Sequence, residues 1–323
     1  TRFNRAAFLI FGFVGFGVSS WVCGQLTTIE PLIAMRFVQG AFAAVPALVA
    51  PGVIRQIFSE VGATRALGAL GSLEALAPAI GPIIGAWLLA LGGWTLSFDV
   101  LAVISVVLAG LTFLVARSIP KQEDSARSGR YLSLLRSPVY LRYALSQAFV
   151  LGGMLIFVLA GPAMIQYALG GTLNDFIAMQ MTGVACFMVA SNVTGLFVKR
   201  FGAEAMIWFG SAMCAVSAVG LLGLALVPKV DPIWVVILFA PFNAGLGFRG
   251  PPGFLRAVIA GAGNDERAAS LMILAIFGVT SIGTAALAGV VEQGLFYVCL
   301  VVVALEVSAL LLLWRLPRLS LPE

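Results

Sequence analysis

Five ionisable side chains, Arg36, Glu74, Asp99, Arg249 and Glu306, stand inside long apolar stretches of this sequence. Burying a charge in such surroundings is expensive, so each marks a place where ions could be handled. What is missing narrows the chemistry. The chain has no histidine, which removes Ser-His-Asp and Cys-His catalysis and His-ligated zinc or haem. Cys23, Cys186, Cys214 and Cys299 lie singly in apolar surroundings without C-x-x-C spacing, so they read as small buried hydrophobes rather than as a disulfide or zinc framework. No nucleophile has a base beside it, and no G-x-x-x-x-G-K-[ST] is present, so neither an enzyme nor an ATP-driven pump is expected. Gly261-Ala262-Gly263-Asn264-Asp265-Glu266 is glycine-rich but acidic and reads as a turn. No cofactor and no metal are expected. Single charges that move protons remain.

Arg36 opens Arg36-Phe37-Val38-Gln39-Gly40. A guanidinium at that position either snorkels to a nearby surface, about 6 Å away along the helix, or faces a water-filled cavity. Gln39 and Gly40, one turn on, favour the cavity, because a polar side chain and a small residue continue one polar stripe. Arg36 would then balance charge between a protonatable acid and a substrate. Glu74 lies about 13 Å along a helix from Arg65. A carboxyl group at that depth can take up and release a proton as its cavity wets and dries, although a purely structural pairing is the competing reading. Glu306 is its rival in the last apolar stretch, and Asp99, only four residues into its own, ranks third. Gly81-Pro82-Ile83-Ile84-Gly85 combines a helix-kinking proline with two glycines spaced for close approach of a neighbouring backbone. Such a surface could serve as a dry contact that opens and closes. Asn243 and Gln147 are candidate polar groups of a cavity.

The elements that carry these residues follow from composition. Hydrophobic residues make up 61% of the chain, charged residues 10%, and the mean hydropathy is +1.05, far from the balance of a water-soluble domain. Ten windows of about 20 apolar residues occur, at 6–25, 32–53, 68–91, 95–116, 143–165, 176–198, 205–227, 233–255, 268–290 and 294–314. The polar stretch 117–142 separates four spans from six, so the expected organisation is a bundle over 1–116, a linker over 117–142 and a bundle over 143–323. With loops assigned to alternating sides, 16 of the 19 basic residues fall on the side of the chain start, Lys229 falls opposite, and Arg36 and Arg249 lie within spans. The positive-inside rule then places both termini and the linker in the cytoplasm. The net charge of +5 is explained by these loops, and no nucleic-acid partner is expected.

The chain also matches itself at an offset of about 200 residues. Arg2-Phe3 aligns with Arg200-Phe201, Pro51-Gly52-Val53-Ile54-Arg55 with Pro252-Gly253-Phe254-Leu255-Arg256, and Arg65-Ala66 with Arg267-Ala268. An even number of spans between copies makes them parallel repeats about an axis along the membrane normal. Two spans precede Arg200 in its half and none precedes Arg2, and the sequence opens on Thr. A parent with two further N-terminal spans, six plus six, is therefore expected. The stretch from Pro241 to Gly253, rich in Gly and Pro, reads as an interrupted span, pairing with Val45-Pro46 through Pro51-Gly52 as a pointer to a transport site. Arg249, near its cytoplasmic end, reads as a snorkelling or gate residue.

Six plus six spans with a basic central loop resemble the major facilitator superfamily, and three motifs carry the likeness. Thr1-Arg2-Phe3-Asn4-Arg5 is similar to the tail of that family's cytoplasmic G-x-x-x-D-R-x-G-R-[RK] loop. Arg36-x-x-Gln39-Gly40 resembles its R-x-x-Q-G motif, and Gly81-Pro82-Ile83-Ile84-Gly85 its antiporter motif, with alanines at 77 and 86 where the pattern has glycine. The resemblance implies an all-α membrane protein with ten of twelve transmembrane helices present. It implies a bacterial inner-membrane, proton-coupled exporter of small lipophilic compounds, acting as a monomer by alternating access. Arg2, Arg5 and Arg200 would belong to cytoplasmic gate loops. A sugar or metabolite importer of the same family is the main alternative, disfavoured by spans poor in Asn, Gln and Tyr. A non-transporting receptor or assembly protein is the other.

Overall fold

A computed structural model describes residues 4–57, 60–119, 131–227, 229–261 and 265–319. Every regular element among them is helical. The chain divides into two compact units, Thr1–Ala126 and Arg127–Glu323. The first holds α1 (Arg5–Gln25), α2 (Ile29–Ile57) and α3 (Glu60–Leu114); the second holds α4 (Tyr131–Leu135), α5 (Pro138–Ala163), α6 (Leu173–Phe201), α7 (Ala203–Leu224), α8 (Pro232–Ile259), α9 (Asp265–Leu287) and α10 (Leu295–Arg315).

α3 contains two expected spans, 68–91 and 95–116, in one run of 55 residues, parted where Gly92 and Gly93 leave helical geometry. Gly93 has φ 79°, a conformation that costs other residues the clash of a Cβ. The two glycines divide the run into two helical segments, and among the described residues the apolar candidate span Ile83–Leu114 lies across the break. Elsewhere the boundaries are set by capping chemistry. Ser137 precedes Pro138, and its Oγ accepts a 3.3 Å hydrogen bond from the Tyr140 amide. Asp231 precedes Pro232 and accepts from the Ile233 amide at 2.9 Å. Proline at the first helical position gives up only an amide that had no partner there. Gly202, at φ 84°, makes the turn between α6 and α7.

Two sequence expectations change here. The linker was expected to run to residue 142, but α5 begins at Pro138 and Arg142 lies within it, buried. The Ser-Pro cap starts the helix upstream of the apolar window. The stretch from Pro241 to Gly253 does not interrupt its span: α8 is one helix from Pro232 to Ile259, with Pro241, Pro251 and Pro252 inside it. Its glycines serve packing instead. A Cβ on Gly245 would stand 2.7 Å from the Gly210 carbonyl oxygen of α7, and one on Gly247 would stand 2.6 Å from the Phe187 carbonyl oxygen of α6. α8 therefore presses its backbone against both neighbours, the small-residue packing of membrane helices.

Within the second unit Phe157, Phe239 and Phe242 form a stacked ladder, with centroids 5.2 and 6.1 Å apart. Polar groups are inside as well: Arg142, Arg249, Glu306, Ser146 and Ser211 are buried, while Val189, Leu196, Val216 and Ile282 are exposed. Apolar outside and charged inside is the pattern lipid selects and water opposes. Among the described residues eight helical segments are long and apolar enough to cross a membrane. The chain is an all-α integral membrane protein.

Candidate functional site

In the first unit the site begins on α2. Arg36 Nη1 donates to Gln39 Oε1 at 2.8 Å, and Gln39 Nε2 donates to Ser20 Oγ of α1 at 2.6 Å. Ser20 Oγ in turn donates to the Phe16 carbonyl at 2.7 Å. The i to i+3 spacing on α2 makes the first link possible. Gln39 is buried and Arg36 is exposed on the unit, so the chain of donors carries a charge at its open end and is anchored in the α1–α2 packing at the other. The Arg36 guanidinium also lies 5.2 Å from the centre of the Phe98 ring, on the second half of α3. A fixed, hydrogen-bonded cation of this kind can hold an anion, or the carboxylate of a deprotonated acid, without searching for its geometry.

The other candidates of this unit are placed differently. Asp99 follows Phe98 and is half-buried, 3.6 Å from where a Cβ of Gly24 would stand, so it shares the Arg36 end of the unit. Glu74 is exposed and lies 18 residues before Gly92 on α3, about 27 Å of helix from the bend. Among the described residues no hydrogen bond or ion pair joins Glu74 to Arg36. Gly40, Gly81 and Gly85 have no heavy atom within 4 Å of the position a Cβ would take. The close packing expected at Gly81 and Gly85 is thus not made among the described residues. Pro82 lies in the same helix, with its side chain outside the described residues, as is Arg2. Arg5 and Arg200 sit in helix ends rather than loops: Arg5 opens α1 behind Asn4, whose Oδ1 accepts from the Ala7 amide at 3.2 Å, and Arg200 is in the last turn of α6, 5.3 Å from the Phe201 ring.

The second unit holds a different set. Arg249 is fully buried, donating from Nη1 to the Ser146 carbonyl at 3.0 Å and from Nη2 to Ser146 Oγ at 3.2 Å. It does not snorkel, because the glycine packing of α8 holds its backbone deep between α6 and α7. Gln147, next along α5, is buried with Oε1 lacking a partner, and that oxygen stands 2.9 Å from the Cβ position of Gly253. Asn243 is buried too, but its Nδ2 bonds the Phe239 carbonyl of its own helix at 3.0 Å and packs on Gly183. It lies ten residues from Gly253, so Asn243 and Gln147 do not share one surface. Glu306 is fully buried in α10, and neither carboxyl oxygen has a partner.

A third cluster escaped the sequence reading. Arg142 bonds the carbonyls of Leu313 and, at 2.7 Å, Leu316, and pairs with Glu204 at the start of α7. Tyr143 Oη donates to Glu204 Oε2 at 2.9 Å and accepts from the Leu319 amide at 3.1 Å. This network ties α5, α7 and the segment after α10 together. The only signal was an Arg-Tyr pair at the foot of an apolar window.

Among the described residues no group of three or more Cys, Asp or Glu could hold a metal ion. The arrangement offers buried charges, Arg249 and Glu306, and an exposed one, Arg36, on long apolar helices.

Known proteins bear on what is moved. The chain is 25% identical over 230 residues to a bicyclomycin resistance protein homolog of Haemophilus influenzae, covering 69% of this chain and 58% of that protein. It is 24% identical to the multidrug resistance protein MdtM of Salmonella typhimurium over 78% of this chain and 62% of that one. To a chloramphenicol resistance protein of Pseudomonas aeruginosa it is 22% identical, over 80% and 65%. The chain thus spans roughly three-fifths of these relatives' length. The family model described as the Major Facilitator Superfamily matches residues 1–288, and with its all-helical membrane fold and its Arg36-x-x-Gln39-Gly40 motif the chain belongs to that superfamily.

Proposed function

We propose that the protein is a proton-coupled exporter of small lipophilic compounds, working by alternating access in a bacterial inner membrane with both termini in the cytoplasm. The observation that carries this reading is the Arg36–Gln39–Ser20 chain, a permanent cation held in place at an exposed edge of the α1–α2 pair. A cation so fixed can be shared between a carboxylate and a substrate: when the acid is protonated Arg36 is released to other partners, and when it is ionised Arg36 neutralises it. Asp99, at the same end of the unit, is the acid best placed for that exchange, and Glu74 would need a conformational change or a chain of water to reach it. The resistance names of three relatives support lipophilic drugs as the substrate class.

Everted membrane vesicles bearing the protein test the reading. With an imposed pH gradient, acid inside, chloramphenicol should accumulate in the vesicles, and dissipating the gradient with an uncoupler should release it. Accumulation that ignores the gradient would exclude proton coupling, and none for any lipophilic probe would exclude the substrate class.

A further inference from the structure

We propose that Glu306 is a second proton-binding site, housed wholly in the C-terminal unit, which is protonated in the arrangement seen here and ionises only by pairing with Arg249. Glu306 lies eleven residues into α10 and nine before its end, near mid-span. Its carboxyl lies against the bare backbone of α5: a Cβ on Gly153 would stand 3.2 Å from Oε1, with Val302 and Leu305 beside it. A larger residue at 153 would take that space. No solvent-accessible surface and no hydrogen-bond partner is left to either oxygen. A carboxylate without donors or water is not tolerated in such a place, whereas a carboxylic acid is.

The charged and titratable groups around it are few. On α5 the polar groups between Tyr143 and Gly153, Ser146 and Gln147, are neutral. The buried Arg142, Tyr140 and Tyr143 lie ten or more residues before Gly153, Arg142 being held by Glu204 of α7 and the Leu313 and Leu316 carbonyls. α7 also contributes the buried Cys214, whose Sγ donates to the Phe242 carbonyl at 3.3 Å, and α8 contributes Arg249. α9 presents Thr280, whose hydroxyl bonds its own helix. Arg249 is therefore the one described cation acting on this acid. It rests at Ser146, and Glu306 rests at Gly153, seven residues further along α5, which is two turns and about 10 Å on the same face. That is too far for an ion pair. Each side carries unmet valence, since Arg249 Nε has no partner either. Loss of the proton from the Glu306 carboxyl to water admitted along α5 would leave a carboxylate whose nearest stabilising donor is that guanidinium. A displacement along α5 of up to two turns, by the helix or by a bridging water, would join them. Ser146 is a positioning residue, parking Arg249 while the acid is neutral.

The inference rests on the exporter reading only for its biological use, and its test does not require transport. Infrared spectra of the purified protein in lipid should contain the carbonyl band of a protonated carboxylic acid at neutral pH, absent in Glu306→Gln, which keeps shape and helicity. Raising the pH should remove the band in the wild type. In Arg249→Met the midpoint should rise by at least tenfold in proton affinity, because the carboxylate has lost its partner, while Arg249→Lys should move it less. Should Arg249→Met not fold, Ser146→Ala reads the same coupling: it removes the Oγ contact and leaves Arg249 held only by the backbone carbonyl, and this looser hold should lower the midpoint. A neutral-pH spectrum in which Glu306→Gln removes no acid band overturns the proposal, as does a midpoint indifferent to both Arg249 and Ser146. Vesicle transport by Glu306→Gln then speaks separately to the exporter reading.

Discussion

The motif residues of the N-terminal unit and the packing residues of the C-terminal unit are of the same types but stand in contrasting surroundings. In the C-terminal unit glycines are pressed against neighbouring backbones, as Gly210 and Gly245 are on each other, and charges such as Arg142 and Arg249 are sealed inside. In the N-terminal unit Gly40, Gly81 and Gly85 face no described atom, and Arg36 is exposed. A glycine spaced for close packing and an arginine in an apolar stretch therefore do not say, by themselves, whether a region is a closed scaffold or a working face. Whether a neighbour has already occupied the face decides it. In the second unit α8 has already filled its Gly245 and Gly247 faces; in the first, Gly12 and Gly15 of α1 are packed on α2, whereas the motif glycines Gly40, Gly81 and Gly85 stay uncovered.

The comparison can be broken at several points. Removing the partner of a sealed charge should cost most: Glu204→Ala leaves buried Arg142 with only backbone carbonyls, and we expect about 3 kcal/mol of lost stability, read by thermal unfolding in detergent. Next comes packing. Gly210→Ala drives a methyl group to 2.3 Å from the Gly245 carbonyl oxygen and should destabilise by about 2 kcal/mol, while Gly81→Ala and Gly85→Ala should cost nothing. Equal losses in all three would erase the distinction between the units. Smaller still is Ser20→Ala, which strips Gln39 Nε2 of its acceptor and should cost about 1 kcal/mol; here a transport defect larger than the stability loss would sharpen the view that Ser20 aligns Arg36 through Gln39. The least perturbing test is topological. Labels at Lys229 and near Ser125 should react from opposite sides of the membrane, and reaction of both from one side would overturn the orientation.

Much of the fold was legible because lipid imposes a simple rule: about 20 apolar residues per crossing, bounded by charge or by glycine and proline. The break at Gly92–Gly93 fell between two predicted windows for that reason. Other features could not be read. Proline and glycine in α8 looked like interruptions, yet a helix can keep such residues where neighbouring backbones come close enough to replace what they lose. Arg249 looked like a snorkelling residue because depth along a helix says nothing about which face it occupies. Arg142 falls in the linker on hydropathy alone, because the apolar window stops short of the Ser137–Pro138 cap. The Arg36–Gln39 pair, by contrast, was visible, because three residues on a helix are neighbours whatever surrounds them.

Transport by Arg36 variants tests the account most directly. In everted vesicles under an imposed pH gradient, Arg36→Ala should insert and fold like the wild type yet accumulate no chloramphenicol, and Arg36→Lys should recover part of the uptake, since it restores charge without the planar fork. Wild-type, gradient-driven uptake by Arg36→Ala would contradict the account and leave Arg36 as a surface cation resting on Phe98.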